Sequence, residues 1–413
     1  MTEPQGPGSR VKGHDGVIRH LSLDRPGEIQ RELDRIGVDP VGIARMLPKL
    51  EFMPVLLPNV RPAAANIIKQ EMLSLGADAA VARGSVACSI ESTDVLLIGS
   101  HKQLNSLCHK LKLQPFGLSA IAEELTALLH SMTSSPAYWQ TAQRRIPLDR
   151  PLIMGILNVT PDSFSDGGRF IDPERAVEHA LQLEAEGADI IDLGGESTRP
   201  GSPAVTDNEE LNRILPVLER LAGRLRIPLS VDTWKSSVAV AALAAGAEII
   251  NDISGFSFDP AMAEVAATSG AGAVLMHTRG TPQTMQQNTS YKDLMGEIAV
   301  GLAASARRAC LAGLAPEQIV LDPGIGFGKD IQGNLEILRR LNEFTSLGYP
   351  LLVGSSRKAF IGKLLGKPAS GERLFGTAAT VALAVAGGAR ILRVHDVAAM
   401  SDVARMAEAI CRP

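Results

Sequence analysis

Between Leu152 and Asp396 the chain repeats one pattern eight times: a short apolar run that stops at a polar residue. The runs are LIMGILN ending at Asn158, DIIDLGGE at Glu196, IPLSVD at Asp232, AEIIND at Asp252, AGAVLMH at His277, QIVLD at Asp322, YPLLVGSS at Ser356 and ARILRVHD at Asp396. Their apolar residues are continuous rather than alternating, which suits strands covered on both faces, as in a parallel sheet. Helical stretches separate them: Pro173–Glu186, Asp207–Leu221, Ser236–Ala245, Pro260–Thr268, Asp293–Ala312, Gly333–Leu347, Ala359–Leu365 and Gly371–Ala386. The first has Asp172 to cap it, Pro173 at its first position and Gly187 past its end. Eight strand–helix units in about 260 residues predict a (β/α)8 TIM barrel. A doubly wound open sheet uses fewer strands and is the lesser alternative.

The region before the barrel reads differently. Up to Arg150 the chain carries 17 basic and 15 acidic residues, and beyond it 24 and 30. Thr133-Ser134-Ser135-Pro136 marks a boundary. The expected organisation is a tail without fixed structure over 1–25, a smaller α/β domain over 26–145, and the barrel over 146–413. In the N-terminal domain, Phe52–Leu57, Ala79–Arg83 and Asp94–Gly99 read as strands, and Pro62–Leu75, His101–Leu113 and Leu118–Leu129 as helices. Its role is either assembly or regulation. His101 and His109 lie eight apart on one helix without a carboxylate or cysteine cluster, which favours structural histidines over a metal site.

Composition narrows the classes of function. A net charge of −4 on 413 residues argues against nucleic acid as a partner. No apolar stretch is long enough for a membrane span, and MTEPQGPGSR lacks the apolar core of a secretory signal. The four cysteines, Cys88, Cys108, Cys310 and Cys411, fit neither a disulfide framework nor a zinc spacing, so a cytoplasmic setting is expected.

In a TIM barrel the C-terminal ends of all strands converge on one face, where active sites form. Asp232, Asn251, Asp322, Lys358, Arg393 and His395 stand at or just past such ends. A lone acid there is most often a helix cap, but six polar groups around one mouth indicate a ligand pocket. Asp232, Asn251 and Asp322 suit a heterocycle bearing an amino group and ring N–H donors. Arg393 and His395, with Arg357 and Lys358 at a helix start, suit an anion. Three polar, Gly-containing loops complete the face: Asn158–Gly168 with Asp162, Gly194–Ser202 with Thr198, Arg199 and Pro200, and Asp322–Asp330 with Phe327. None has the spacing of a P-loop, which excludes a nucleotide-hydrolysing reading of that kind.

The segments NVTPDSFSDGG, DLGGESTRPG, VDTWK, NDISG, MHTRGTPQTMQ, DPGIGFGK, GSSRK and RVHD together resemble the dihydropteroate synthase family, in order and at the expected strand ends. The resemblance implies condensation of 6-hydroxymethyl-7,8-dihydropterin pyrophosphate with p-aminobenzoate, yielding 7,8-dihydropteroate and pyrophosphate in folate biosynthesis. It implies that Asp232, Asn251, Asp322 and Lys358 bind the pterin, that Met276 contacts substrate, that Asn158 is the protein ligand of Mg2+, and that Arg393, His395 and Thr198 hold pyrophosphate. Asp162 and Arg199 would close loops over the reacting centre, and Phe327, Pro200 and the stem of Lys358 would wall the p-aminobenzoate ring. Many relatives carry Ser or Thr after that lysine, where this chain has Ala359. Sulfonamides are expected to compete with p-aminobenzoate, and a homodimer through late barrel helices around Thr377–Ala389 is expected. A pterin-binding methyltransferase shares the barrel and pocket, but has no use for the STRPG, SRK and RVHD segments. An inactive scaffold of the pathway would have lost Asn158, Asp232 or Lys358.

Overall fold

A computed structural model describes residues 19, 21, 26–133, 136–160, 172–198 and 201–411. The chain divides into two compact units after Leu129. The short hairpin Tyr138–Gln140/Arg145–Pro147 therefore belongs with the barrel, not with the domain before it. The expected tail, residues 1–25, lies almost wholly outside the described residues.

The N-terminal unit runs α1 (Pro26–Ile36), α2 (Pro40–Leu50), β1 (Phe52–Val60), α3 (Pro62–Ser74), β2 (Asp78–Val81), β3 (Thr93–Ser100), α4 (His101–Leu111) and α5 (Leu118–Thr133). Its antiparallel sheet has the order β1-β3-β2. Along β3 burial alternates, with Val95 and Leu97 inward and Asp94 and Leu96 outward. The inward residues join Ile68, Met72, Leu104, Leu107 and Leu111 in one core. Helix starts follow local chemistry: Asp39 accepts from the Gly42 N–H at 3.0 Å, and the Ser100 N–H donates to Gln103 Oε1 at 2.9 Å. The helices α1 and α2, absent from the sequence reading, have largely exposed surfaces and few apolar anchors.

The second unit runs β4 (Tyr138–Gln140), β5 (Arg145–Pro147), β6 (Leu152–Asn158), α6 (Pro173–Ala185), β7 (Ile190–Gly194), α7 (Asp207–Leu221), β8 (Leu229–Asp232), α8 (Ser236–Ala244), β9 (Ile249–Asp252), α9 (Met262–Ser269), β10 (Gly272–Met276) and α10 (Leu294–Ala312). It continues with β11 (Ile319–Asp322), α11 (Ile331–Arg339), β12 (Leu352–Val353), α12 (Ala359–Leu365), α13 (Leu374–Ala386), β13 (Ile391–Val394) and α14 (Val397–Cys411). Strands β6 to β13 form one parallel sheet in the order β11-β10-β9-β8-β7-β6-β13-β12. The Leu321 N–H donates to the Pro350 carbonyl at 2.9 Å and closes the ring. This is the expected TIM barrel. The predicted helix over Gly333–Leu347 breaks at Arg340 into α11 and a 3-10 turn, and α14, missed from sequence, follows the last strand.

Strand pleating sorts the residues into two sets. One set, including Ile153, Leu157, Ile191, Leu193, Val231, Ile250, Leu275, Leu321 and Leu392, packs outward against the helices. The other fills the barrel: Met154, Ile190, Ile249, Val274, Val320, Leu352 and Ile391 form an apolar layer, and Trp139 of β4 packs under it. The indole Nε1 donates to the Gln318 carbonyl at 2.9 Å, so this end is plugged with its polar atom satisfied. Two residues further along the strands, inward side chains turn polar: Asp192, Asp232, Asn251, Asp322 and Arg393. The core therefore stops where the site begins.

Candidate active site

Arg393 joins the strand-end groups. Its Nε donates to Asp192 Oδ2 and its Nη2 to Asp232 Oδ2, each at 2.6 Å. Asn251 Nδ2 donates to the same Asp192 oxygen at 3.0 Å. Asp192 is fully buried and Asp232 nearly so. Burial pushes Asp232 up to about 7 against the pull of Arg393, and the neighbouring Asp192 carboxylate raises it further. Burial works against the charge of Arg393, but Asp192 and Asp232 overcome it and hold the guanidinium protonated. Among the described residues, Asp192 Oδ1 and Asp232 Oδ1 have no hydrogen-bond partner. Two unsatisfied buried carboxylate oxygens at a barrel mouth are acceptors waiting for donors.

Asp322 stands across the mouth, one oxygen accepting from the Gly324 N–H at 2.7 Å. Burial raises its pKa, opposed chiefly by Lys358. Lys358 is pulled down to about 8 by burial, with Asp322 working the other way. Its ammonium donates to the Ile325 carbonyl and sits 4.3 Å from the Phe327 ring centroid. Thus Lys358 stands over Phe327 and within electrostatic reach of Asp322, and Met276 pairs with Asp322 in adjacent strands. Asp252, next to Asn251, accepts from the N–H groups of Ser254 (2.7 Å) and Phe256 (3.0 Å) and fixes the turn after β9.

Asn158 ends β6 beside Gly194 of β7. A Cβ on Gly194 would stand 3.7 Å from both Asn158 Oδ1 and Asp232 Oδ2, so glycine leaves a notch flanked by two oxygens. An amide oxygen beside a carboxylate oxygen is a donor set of the oxygen kind that Mg2+ takes. Among the described residues no three His, Cys, Asp or Glu side chains group to hold a metal by themselves.

His395 is placed by Ser356, whose Oγ lies 3.1 Å from the His395 N–H and 3.0 Å from Nδ1. Arg357, with φ of +57°, turns away into an ion pair with Asp396. It is therefore engaged with Asp396, and of the Arg357–Lys358 pair it is Lys358 that faces the mouth. Thr198 is half-buried, while Asp162, Arg199 and Pro200 lie outside the described residues. The loop behind Thr198 is anchored by Lys235, which donates to Glu196 at 2.8 Å and to Glu210 and the Val205 carbonyl at 2.6 Å.

The sequence reading passed over Asp192, Lys329 and the Glu196–Lys235–Glu210 cluster. Strand parity marks Asp192: it stands two residues past inward Ile190, in the layer of Asp232 and Asn251.

Residues 154–395 match the family described as pterin binding enzyme. A dihydropteroate synthase of Synechocystis sp. is 51% identical over 263 residues, 64% of this chain and 91% of that one. A Halobacterium salinarum protein, described as a probable bifunctional folylpolyglutamate synthase/dihydropteroate synthase, is 40% identical over 397 residues, 95% of this chain but 47% of its own length. That match takes in the N-terminal unit as well as the barrel. The crystal structure of Xanthomonas albilineans dihydropteroate synthase with 4-aminobenzoic acid superposes with a TM-score of 0.63 at 44% identity, covering 68% of this chain and all of that one. The chain belongs to the dihydropteroate synthases, within the family of pterin-binding enzymes.

Proposed function

We propose how the barrel mouth carries out the family's reaction, the joining of 6-hydroxymethyl-7,8-dihydropterin pyrophosphate to p-aminobenzoate. The observation that carries the reading is the convergence of buried acceptors (Asp232, Asn251, Asp322) with two cations (Lys358, Arg393) on one face. The unpartnered Asp232 oxygen takes the amino and ring N–H donors of the pterin, with Asn251 and Asp322 completing the set and Met276 beside them. Arg393 is held between two carboxylates, so its charge is fixed in place rather than searching solvent.

In the reaction the methylene C–O bond breaks and pyrophosphate departs with the bonding electrons. The amine nitrogen of p-aminobenzoate then forms the new C–N bond and gives up a proton. The residues here have three tasks: to orient the pterin, to stabilise the departing anion, and to keep water from the electron-poor carbon. His395, Thr198 and Arg393 serve the anion, and the family resemblance gives Asp162 and Arg199, outside the described residues, the task of excluding water from the centre. Asn158 would hold Mg2+, which supplies positive charge to the pyrophosphate when bound. Lys358 places its stem and ammonium beside Phe327, and with Pro200 these wall the p-aminobenzoate ring.

We place the enzyme in the cytoplasm, with no nucleic-acid or membrane partner; no helix among the described residues is long and apolar enough to cross a membrane. We assign the outward face of α13, where Phe375 and Leu383 are exposed, to a second copy of the chain in a homodimer. The deciding experiment is direct detection of 7,8-dihydropteroate from the two substrates, with and without Mg2+. No product under either condition refutes the reading.

A further inference from the structure

We propose that Lys329 is a positioning residue for the aromatic-amine subsite, clamping the loop after β11 so that Phe327 presents its ring to p-aminobenzoate. The inference rests on the placement of Phe327 against that substrate given above. Lys329 is only 3% exposed, yet among the described residues no carboxylate lies within hydrogen-bonding distance of it. Its Nζ donates instead to the carbonyls of Phe327 (2.9 Å), Gly324 (3.0 Å) and His277 (3.2 Å), with His277 Nδ1 at 3.1 Å. Burial pulls Lys329 down to about 7, with Asp322 as the opposing charge, and a dense set of acceptors is what makes so buried an amine tolerable. All four acceptors belong to two loops, the one after β10 and the one that carries Phe327. One cation thus ties the loops together at Phe327's own carbonyl.

The rest of the loop confirms a tight seat. Gly324 and Gly328 have φ of +71° and +62°, and a Cβ on them would stand 2.0 Å from the His277 carbonyl oxygen and 3.1 Å from Arg279 atoms. The loop therefore lies flush on His277–Arg279, an approach open only to glycine. Tyr291 Oη donates to the Gly328 carbonyl at 2.9 Å and Gln286 Nε2 to the Gly326 carbonyl at 3.2 Å. Burial, Lys329 and Arg279 push His277 down to about 3, so the imidazole is neutral and adds no second charge. Among the described residues Lys329 donates to no strand-end side chain; its link to Asp322 is electrostatic, and through the Gly324 peptide, rather than a direct hydrogen bond.

The test compares steady-state constants for both substrates in Lys329→Met, Tyr291→Phe and Phe327→Ala, with thermal unfolding of each. Lys329→Met keeps the stem and removes the donors. Its KM for p-aminobenzoate is expected to rise about tenfold, the value of about one lost hydrogen bond, while KM for the pterin pyrophosphate stays within about twofold. Tyr291→Phe, a milder lesion of the same seat, is expected to raise KM for p-aminobenzoate alone by about threefold. A folded Lys329→Met with an unchanged p-aminobenzoate KM, or with both KM values raised alike, overturns the proposal. If Lys329→Met does not fold, Tyr291→Phe decides, and an unchanged KM there overturns it. If Phe327→Ala leaves p-aminobenzoate binding intact, the placement of Phe327 fails first, and the clamp's purpose with it.

Discussion

Replacing Asp192 by Asn tests whether the Arg393-centred cluster sets the protonation of the pterin-binding acid. Asp192 and Asp232 bond to different nitrogens of one guanidinium, which sets their oxygens about 5 Å apart. At an effective dielectric of about 20, two unit charges at that separation repel by about 3 kcal/mol. This corresponds to about 2 pH units on Asp232. The amide keeps one oxygen for Arg393 and Asn251, and its NH2 takes the place of the unpartnered Asp192 Oδ1. Arg393 then leans on Asp232 alone, which acts in the same direction. Asp232 accepts from pterin donors as a carboxylate, so in the parent kcat/KM for the pterin pyrophosphate climbs as pH rises through about 7. In Asp192→Asn the climb should move 1–2 units (roughly) toward acid, with a flat profile above it. Stability carries the same sign. A carboxyl whose folded pKa is raised stabilises the fold below its unfolded value and loses that contribution as pH rises through about 7. The variant should therefore lose less Tm than the parent between about pH 5 and about pH 7. An inflection that stays put, or moves to alkaline pH, refutes the cluster as its cause.

Three further predictions concern separate parts of the molecule. Asn158→Ala should raise the Mg2+ concentration for half-maximal rate at least about tenfold while leaving KM for p-aminobenzoate unchanged; an unaltered Mg2+ titration removes Asn158 as a ligand. Trp139→Ala empties the plug beneath the apolar layer and should cost about 3–5 kcal/mol, lowering Tm by roughly 6–15 °C with kcat at room temperature within about twofold. A drop of only a degree or two would mean that the hairpin does not support the barrel. Sulfonamides should compete with p-aminobenzoate, and Ala359→Ser at the first position of α12 should tighten both by about two- to tenfold; equal inhibition constants in the two proteins argue against a contact there.

Much of the barrel was legible because its strands are covered on both faces, so each is a continuous apolar run with a hard stop. The stops themselves pointed at Asn158, Asp232 and Asp322, with Asn251 one residue before the stop at Asp252, and the structure gathers these at one mouth. Helix ends were less readable. The run Gly333–Leu347 keeps a helical composition through Arg340, where the backbone instead tightens into a 3-10 turn. The helix α14 starts directly after Asp396, a residue suited to cap it, and α1 carries Ile29, Leu33 and Ile36 at helical spacing, so these helices were passed over beside the RVHD segment and the Gly- and Pro-rich tail rather than hidden by their composition.

Asp192 and Lys329 were missed for a different reason, and they are the more instructive pair. Both sit within segments whose neighbours dominate the reading: Asp192 inside IIDLG, and Lys329 at the end of a glycine-rich loop whose phenylalanine draws attention. A charge in an apolar run looks like an interruption until strand parity is applied. Once Ile190 is assigned inward, Asp192 must point the same way, into the layer where Asp232 and Arg393 also point. The barrel interior is too small for an unpaired carboxylate to escape to water, so its presence there requires a cation from another strand. Arg393 meets that need from the last strand, 201 residues away. The same reasoning covers Lys329, whose burial demands acceptors that only the carbonyls of two packed loops provide. In each case the residue reads as ordinary until its burial is known, and burial depends on closure of the whole ring. The groups facing substrate can therefore be picked out by local pattern, whereas those holding them in place require the three-dimensional fold.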